Sequence, residues 1–362
     1  MANENLGNAK KAKNDEFYTQ FHDIEKEMNA YLEYDPDVFR NKTVLLPCDD
    51  PEWSNFTKYF AQNFETLGLK KLISTSYAPN SKPKDLNIQP TLFELESPQF
   101  DETKTASNGK IFTLHRDSTG DNVINVDDLE WQYLEGDGDF RSDEISALRN
   151  QADIIITNPP FSLFRQFLTW IIDGNKQFVI LGNMNAITYK EVFPLIQQNK
   201  VWLGQSIHSG DREFEVPGNY ETRSASLRVD ESGKKYLRVD GIRWFTNIDH
   251  GRRHKPIPLM PESDNIKFSK HKEIKGIGYK SYDNYDAIEV PFTDAIPADY
   301  EGVMGVPISF LSKYSPEQFE IVGCSYDYGR PSGWPENINM SPSVGGVNIY
   351  KRILIRHKEE TK

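Results

Sequence analysis

The stretch ADIIITNPPFSLF (residues 152–164) sets three consecutive isoleucines, Ile154, Ile155 and Ile156, against an abrupt Asn158-Pro159-Pro160-Phe161. Neither proline can donate a ladder hydrogen bond, so a strand running through the isoleucines has to stop there. Beyond the turn, Leu163, Phe164, Phe167, Leu168, Ile171 and Ile172 recur at helical spacing up to Gly174, which is expected to end the helix. QFVILGN (177–183) then reads as a second apolar strand. Unbroken apolar strands separated by a helix are what a parallel sheet buried on both faces produces. Ligands of such open sheets bind beyond the carboxyl ends of the strands, which puts Asn158 where chemistry is expected.

On the amino-terminal side, TVLLP (43–47), SNFTKYFAQNFETLG (54–68) and KKLISTSY (70–77) repeat the strand–helix–strand order, with Phe56, Tyr59, Phe60 and Phe64 on a helical period. Residues 78–135 are polar and rich in turn formers. Their one hairpin-like piece, GKIFTLHRDSTGDNVINV, is expected to extend the edge of the sheet. Beyond about residue 200 the pattern changes to Gly, Pro and aromatic punctuation, with short strands such as KKYLRVDGIRWFTNI and NIYKRILIRH. The expected fold is therefore α/β, with a core over 1–200 that carries an insertion at about 78–135, and a second, strand-rich region over 201–362.

Composition narrows the function classes. No apolar run approaches the roughly 20 residues needed to span a bilayer, and the start, MANENLGNAKKAKNDEFYTQ, has no apolar segment that could act as a secretory signal. Cys48 and Cys324 are the only cysteines, which points to a reducing cytoplasm and a mechanism without metal. The net charge is −12, unusual for a protein that binds a polyanion. The acid excess lies in residues 1–189, with 18 Lys+Arg against 30 Asp+Glu, whereas residues 190–362 hold 24 of each. Within the neutral half, residues 251–280 carry eight Lys or Arg against three acids. Such a run is either a solvated face or a nucleic-acid contact.

Asn-Pro-Pro-Phe after an apolar strand resembles the catalytic signature of S-adenosylmethionine-dependent DNA adenine-N6 methyltransferases. The surroundings resemble that family too: DEFYTQ (15–20) is similar to its amino-terminal cofactor motif, VLLPCDDP (44–51) to its first cofactor loop, and GDF (138–140) to its cofactor-adenine motif. Together with LGNMNAITY and RWFTN, these motifs look most like the EcoRI-type enzymes, over roughly residues 15–250. The resemblance implies a Rossmann-like, S-adenosylmethionine-binding catalytic domain over 1–200 and a target-recognition, DNA-binding region over 201–362. The implied partner is double-stranded DNA, with a cognate restriction endonuclease acting separately, and the implied state a monomer. Two features depart from the family pattern: the loop PCDDPEWSNF has no glycine, and KKLISTSYAP lacks the usual carboxylate for the ribose, leaving Ser74, Thr75, Ser76 or Tyr77 as substitutes.

Carried onto this sequence, the catalytic residues are Asn158, Pro159, Pro160 and Phe161. An adenine amino nitrogen is a poor nucleophile because its lone pair is delocalised into the ring. Acceptors on the Asn158 side chain and the Pro159 carbonyl would favour a tetrahedral nitrogen, and Phe161 would stack on the flipped base. The cofactor set is Phe17, Tyr18 and Thr19 at the methionine end, Pro47, Asp49 and Asp50 in the first loop, Asp139 and Phe140 at the adenine, and Asn158. Arg252, Arg253, His254 and Lys255 are the expected DNA contacts. Other readings stay open: Asn158 as a helix N-cap ahead of Pro159, methylation of RNA or of protein glutamine, cytosine-N4 methylation, and a noncatalytic nucleic-acid-binding module of the same fold.

Overall fold

The computed structural model describes residues 19–49, 54–78, 97–208, 210–216, 227–325, 329 and 341–358. They group into two compact units, Met1–Ala186 with Ser209–Ile248, and Ile187–His208 with Asp249–Lys362.

In the first unit every residue of β1 (Thr43–Leu46) is buried. The single turn Phe64–Leu67 follows α2 (Asn55–Gln62) and ends at Gly68 (φ 63°), and the chain then returns through β2 (Lys71–Ser76) parallel to β1. β3 (Lys110–Leu114) and β4 (Glu130–Tyr133) extend the β2 edge antiparallel, the place expected for the insertion's hairpin. After α3 (Asp143–Gln151), the fully buried β5 (Ile154–Thr157) pairs parallel with the other side of β1. α4 (Phe164–Asp173) leads to β6 (Gln177–Asn183), parallel to β5. The helix α1 (Phe21–Tyr34) buries Ile24, Glu27, Met28 and Tyr31, one face of its helical period. Gly174 follows α4 with φ −79°, and the left-handed residue is its neighbour Asn175 at φ 50°, so the glycine is not itself the left-handed stop.

The chain leaves the sheet after β6 and returns to it. β7 (Asp211–Val216), β8 (Leu227–Val229) and β9 (Lys235–Asp240) form a small antiparallel sheet of order β7-β9-β8. Gly241 (φ 72°) then turns the chain into β10 (Ile242–Thr246), which lies antiparallel on β6. Within this unit the large mixed sheet runs β4-β3-β2-β1-β5-β6-β10. The single division at residue 200 expected from the sequence therefore does not describe the compact units, because Ser209–Ile248 belongs with the first. The reason is burial: all five residues of β10 are buried. Its successive residues Trp244 and Phe245 meet Phe56 of α2 and Phe164 of α4, so these two helices cover opposite faces of the sheet.

The second unit carries a mixed sheet containing Lys280–Ser281, Ile288–Glu289, Met304–Val306, Ile353–His357 and Phe319–Cys324, in that order. Tyr282 and Arg352 converge there on the Glu289 carboxylate, Arg352 through Nη2 at 2.6 Å. Among the described residues no helix is long and apolar enough to cross a membrane.

Gly182 of β6 sets how closely α4 approaches: a Cβ there would lie 2.4 Å from Cε2 of Phe164, a ring already packed on Phe245. Gly182→Ala should therefore destabilise the protein by about 1–3 kcal/mol, the usual cost of overpacking, with partial recovery in the Gly182→Ala/Phe164→Leu double variant. Denaturant unfolding of the three proteins checks this.

Candidate functional site

The strand order reverses at β1, which sends the chain to β2 on one side and has β5 on the other. A crevice at the carboxyl ends of strands is expected at such a switch point. What lies there is one buried carboxylate. Asp49, three residues past β1, accepts from Ser54 Oγ at 2.8 Å and from Thr157 Oγ1, the last residue of β5, at 2.5 Å. Ser54 in turn caps α2, its Oγ accepting from Phe56 N. From the other side Ser74 of β2 donates to the Asp49 carbonyl at 2.5 Å and shares a 2.9 Å hydrogen bond with Thr57, while Thr75 donates to the Pro47 carbonyl at 3.1 Å. The loop after β1 is thus tied to α2, β2 and β5 by hydroxyl groups. Ser74 and Thr75, both fully buried, are spent on this framework and are not exposed for a ribose.

Thr157 precedes Asn158, so the same tie fixes the start of Asn-Pro-Pro-Phe. Asn158 is half-buried and Pro159 buried. The 3-10 turn Phe161–Leu163 has Pro160 at its cap position, and α4 is preceded by Leu163, so Asn158 stands two residues ahead of the first cap position and occupies none. Phe161 is half-buried, with its ring edge-on to Phe214 of β7 at 6.4 Å between centroids.

Asp139 follows Gly138, whose φ of 84° and a would-be Cβ only 2.3 Å from the Ser76 carbonyl oxygen press this loop against the end of β2. Ala78 N donates to the Asp137 carbonyl across the same junction. The Asp139 carboxylate accepts from Arg141 Nε at 2.9 Å and from its Nη2. That guanidinium holds the Asp139 carboxyl below its ordinary range, leaving an ionised acceptor, 18% exposed. Carboxylates have about four acceptor positions, so Arg141 does not exhaust it. The Phe140 ring is packed edge-on to Phe167 and Trp170 at 5.0 and 5.7 Å, which leaves only its backbone for a ligand. Thr19 is buried, its carbonyl accepting from Asn55 Nδ2 at 2.8 Å beside the start of α2. Phe17, Tyr18 and Asp50 lie outside the described residues.

A family model described as adenine-specific methyltransferase EcoRI matches residues 5–358. The chain belongs to this family. It is 42% identical to the type II methyltransferase M.EcoRI of Escherichia coli, over 99% of this chain and 98% of that protein. It is 35% identical to M.MpnI of Mycoplasma pneumoniae over 97% of each chain. The type II methyltransferase M.MgeORF184P of Mycoplasma genitalium is also 35% identical, over 97% of this chain and 98% of its own length. No solved structure matches the chain.

The basic segment expected at this adenine methyltransferase's DNA contact is largely engaged within the second unit. Arg253 is buried, its guanidinium 3.8 Å from the centre of the Trp202 ring and bonded to Asn199 and Asp249. Arg252 meets the His208 ring. His254 bridges Asp249 and Glu317, at 2.9 and 2.8 Å. Lys255 is exposed. Side-chain burial of an arginine in a Gly-Arg-Arg-His run cannot be read from composition, and this is why the four residues look alike in sequence and differ in the fold. Thr157, Ser54 and Thr57 went unremarked in the sequence for a related reason, since their partners are remote; only Ser54 carried a local signal, as a cap before a helix.

Thr157→Val keeps the shape and removes one donor from a buried carboxylate, which costs about 1–3 kcal/mol. Chemical denaturation should register that loss. An unchanged midpoint would show that Asp49 does not depend on the Thr157 hydroxyl.

Proposed function

We propose that this adenine-specific methyltransferase modifies DNA, transferring a methyl group from S-adenosylmethionine to N6 of an adenine flipped out of the duplex at a defined sequence. The observation that carries the reading is Asn158-Pro159-Pro160-Phe161 at the carboxyl end of β5, joined through Thr157 to the loop that follows β1. Membership of the adenine-specific family supports the base.

In this reading the first unit is a Rossmann-like catalytic core and the second contributes target recognition. Bound cofactor supplies the electrophilic methyl, so no covalent enzyme intermediate is needed. The acceptors present suit such a ligand. Asp139 and the Phe140 backbone receive the cofactor's adenine, Thr19 with Phe17 and Tyr18 serves its methionine end, and Pro47 and Asp50 contribute to cofactor binding from the first loop. Asp49 serves from behind, as the buried anchor of that loop. At the substrate, the Asn158 side-chain oxygen and the Pro159 carbonyl accept the two N6 hydrogens and draw the lone pair out of the ring, with most effect as the nitrogen becomes tetrahedral. The fixed φ of Pro160 stiffens the turn, and Phe161 stacks on the base, offsetting part of the few kcal/mol spent on unstacking it. The enzyme works in the cytoplasm as a monomer, alongside a separate endonuclease where one exists.

Two substitutions should fail in opposite ways. Asn158→Ala should lower single-turnover methylation on the order of 10²-fold or more while cofactor and DNA affinities hold, as for loss of one preorganised donor in an oxyanion hole. Asp139→Ala should weaken cofactor binding and leave the chemical step intact once cofactor is saturating. Calorimetry and rapid-quench kinetics on the same preparations separate the two. Near-normal turnover by Asn158→Ala would remove this mechanism.

A further inference from the structure

Of the basic run at 251–280, the part that faces solvent is its second half. Glu262–Phe268 is a short helix, and the turn that follows is stitched back onto it: Gly276 N donates to the Ile266 carbonyl at 2.8 Å. Asn265 and Ile274, each 1% exposed, anchor the two segments from beneath. Asn265 Nδ2 donates to the Met260 carbonyl. His271 stacks on Phe292 with 3.7 Å between ring centres and bonds Asp294 at 2.8 Å. The pedestal is therefore firmly packed. Its outer surface is not what a soluble protein needs there. Phe268 is 69% and Ile277 63% exposed, on the two segments joined by the Ile266–Gly276 bond. Exposed around them are Lys267, Lys272 and Lys275, with Lys270, whose ammonium meets Asp294 at 2.7 Å. Residues 267–280 hold five lysines and one acid in a chain of net charge −12.

We infer that this surface, with Lys267, Lys272 and Lys275 around Phe268 and Ile277, is where the second unit grips the DNA duplex: the lysines neutralise backbone phosphates and Phe268 makes apolar contact with sugar and base edges. Charge complementarity selects the partner, because a local excess of lysine in an acidic protein is attracted to a polyanion and repelled by very little else. The two apolar side chains add what a purely electrostatic patch lacks. Architectural DNA-binding proteins use such residues against the groove. The assignment rests on the methyltransferase reading and moves the expected contact from residues 252–255, of which 252–254 are engaged within the second unit, to 267–277.

The test measures binding of the full-length protein to a labelled mixed-sequence duplex across a series of salt concentrations, for the natural sequence, Lys267→Gln/Lys272→Gln/Lys275→Gln and Phe268→Ala. Each phosphate contact contributes about 0.9 to the log–log salt slope, so the triple variant should be shallower by up to about 2.7 and bind up to roughly 10²–10³-fold more weakly at 0.1 M salt. Phe268→Ala should lower affinity at an unchanged slope. All three proteins should share one melting temperature and one affinity for S-adenosylmethionine, which separates a lost DNA contact from a damaged fold. A triple variant with the natural slope overturns the proposal, as does one that keeps DNA affinity while losing adsorption to phosphatidylserine vesicles. Methylation of genomic DNA by the unsubstituted protein is scored alongside. Its absence would remove the methyltransferase reading itself, whereas methylation with an unaltered slope would remove only this placement of the DNA surface.

Discussion

A carboxylate buried between two strands is costly unless it is well hydrogen-bonded, and Asp49 is the group on which this site is organised. Its two oxygens accept hydrogen bonds from the hydroxyls of Ser54 and Thr157, residues that belong to the start of one helix and the end of the central strand β5. Ser74 closes the arrangement from β2 through the Asp49 carbonyl. The carboxyl ends of β1, β2 and β5 and the start of α2 are thereby held together where backbone ladders no longer reach. A Gly-rich loop would achieve close approach through the backbone; this chain has no glycine between Pro47 and Phe56 and uses side-chain hydroxyls to hold the loop instead.

The Asn-Pro-Pro-Phe turn inherits its position from that tie and its shape from packing. Two prolines fix the backbone after Asn158, and the helix that follows is locked by Phe164 filling the place of a side chain at Gly182. The ring of Phe161, by contrast, stays half-buried against Phe214. The result is an amide and a carbonyl presented at the end of a rigid strand, with an aromatic face beside them. Preorganisation of this kind is what a reaction limited by the poor nucleophilicity of an amino group requires, because the acceptors need not reorganise as charge develops.

The parallel core was legible because its strands are continuous apolar runs, and TVLL, IIIT and FVILG stand in the sheet as their composition implies. The return of residues 242–246 to that sheet was not, although IRWFT is apolar enough to be buried throughout. Its neighbour in sequence, KYLRVD, is half-exposed, and the sharp division between them depends on the left-handed Gly241. In the site, the family motifs marked Asn158 and Asp139, while the pairing of Asp49 with Thr157, 108 positions apart, left no local trace. Hydroxyls at 74 and 75, readable as ribose ligands, are consumed by the framework. At 252–253 the charge suggests solvent, and a tryptophan ring takes Arg253 instead.

Chemistry at the adenine amino nitrogen of DNA can be read directly from where the transferred methyl group ends up. The direct measurement incubates the purified protein with S-adenosylmethionine labelled in the transferred methyl group and a mixture of genomic DNA, RNA and protein, then identifies the labelled product by nucleoside and amino-acid digestion and maps it by sequencing. Label is expected in N6-methyladenine of DNA alone, confined to one short sequence and strongly reduced with Asn158→Ala. Label in N4-methylcytosine, in RNA or in glutamine side chains would contradict that chemistry.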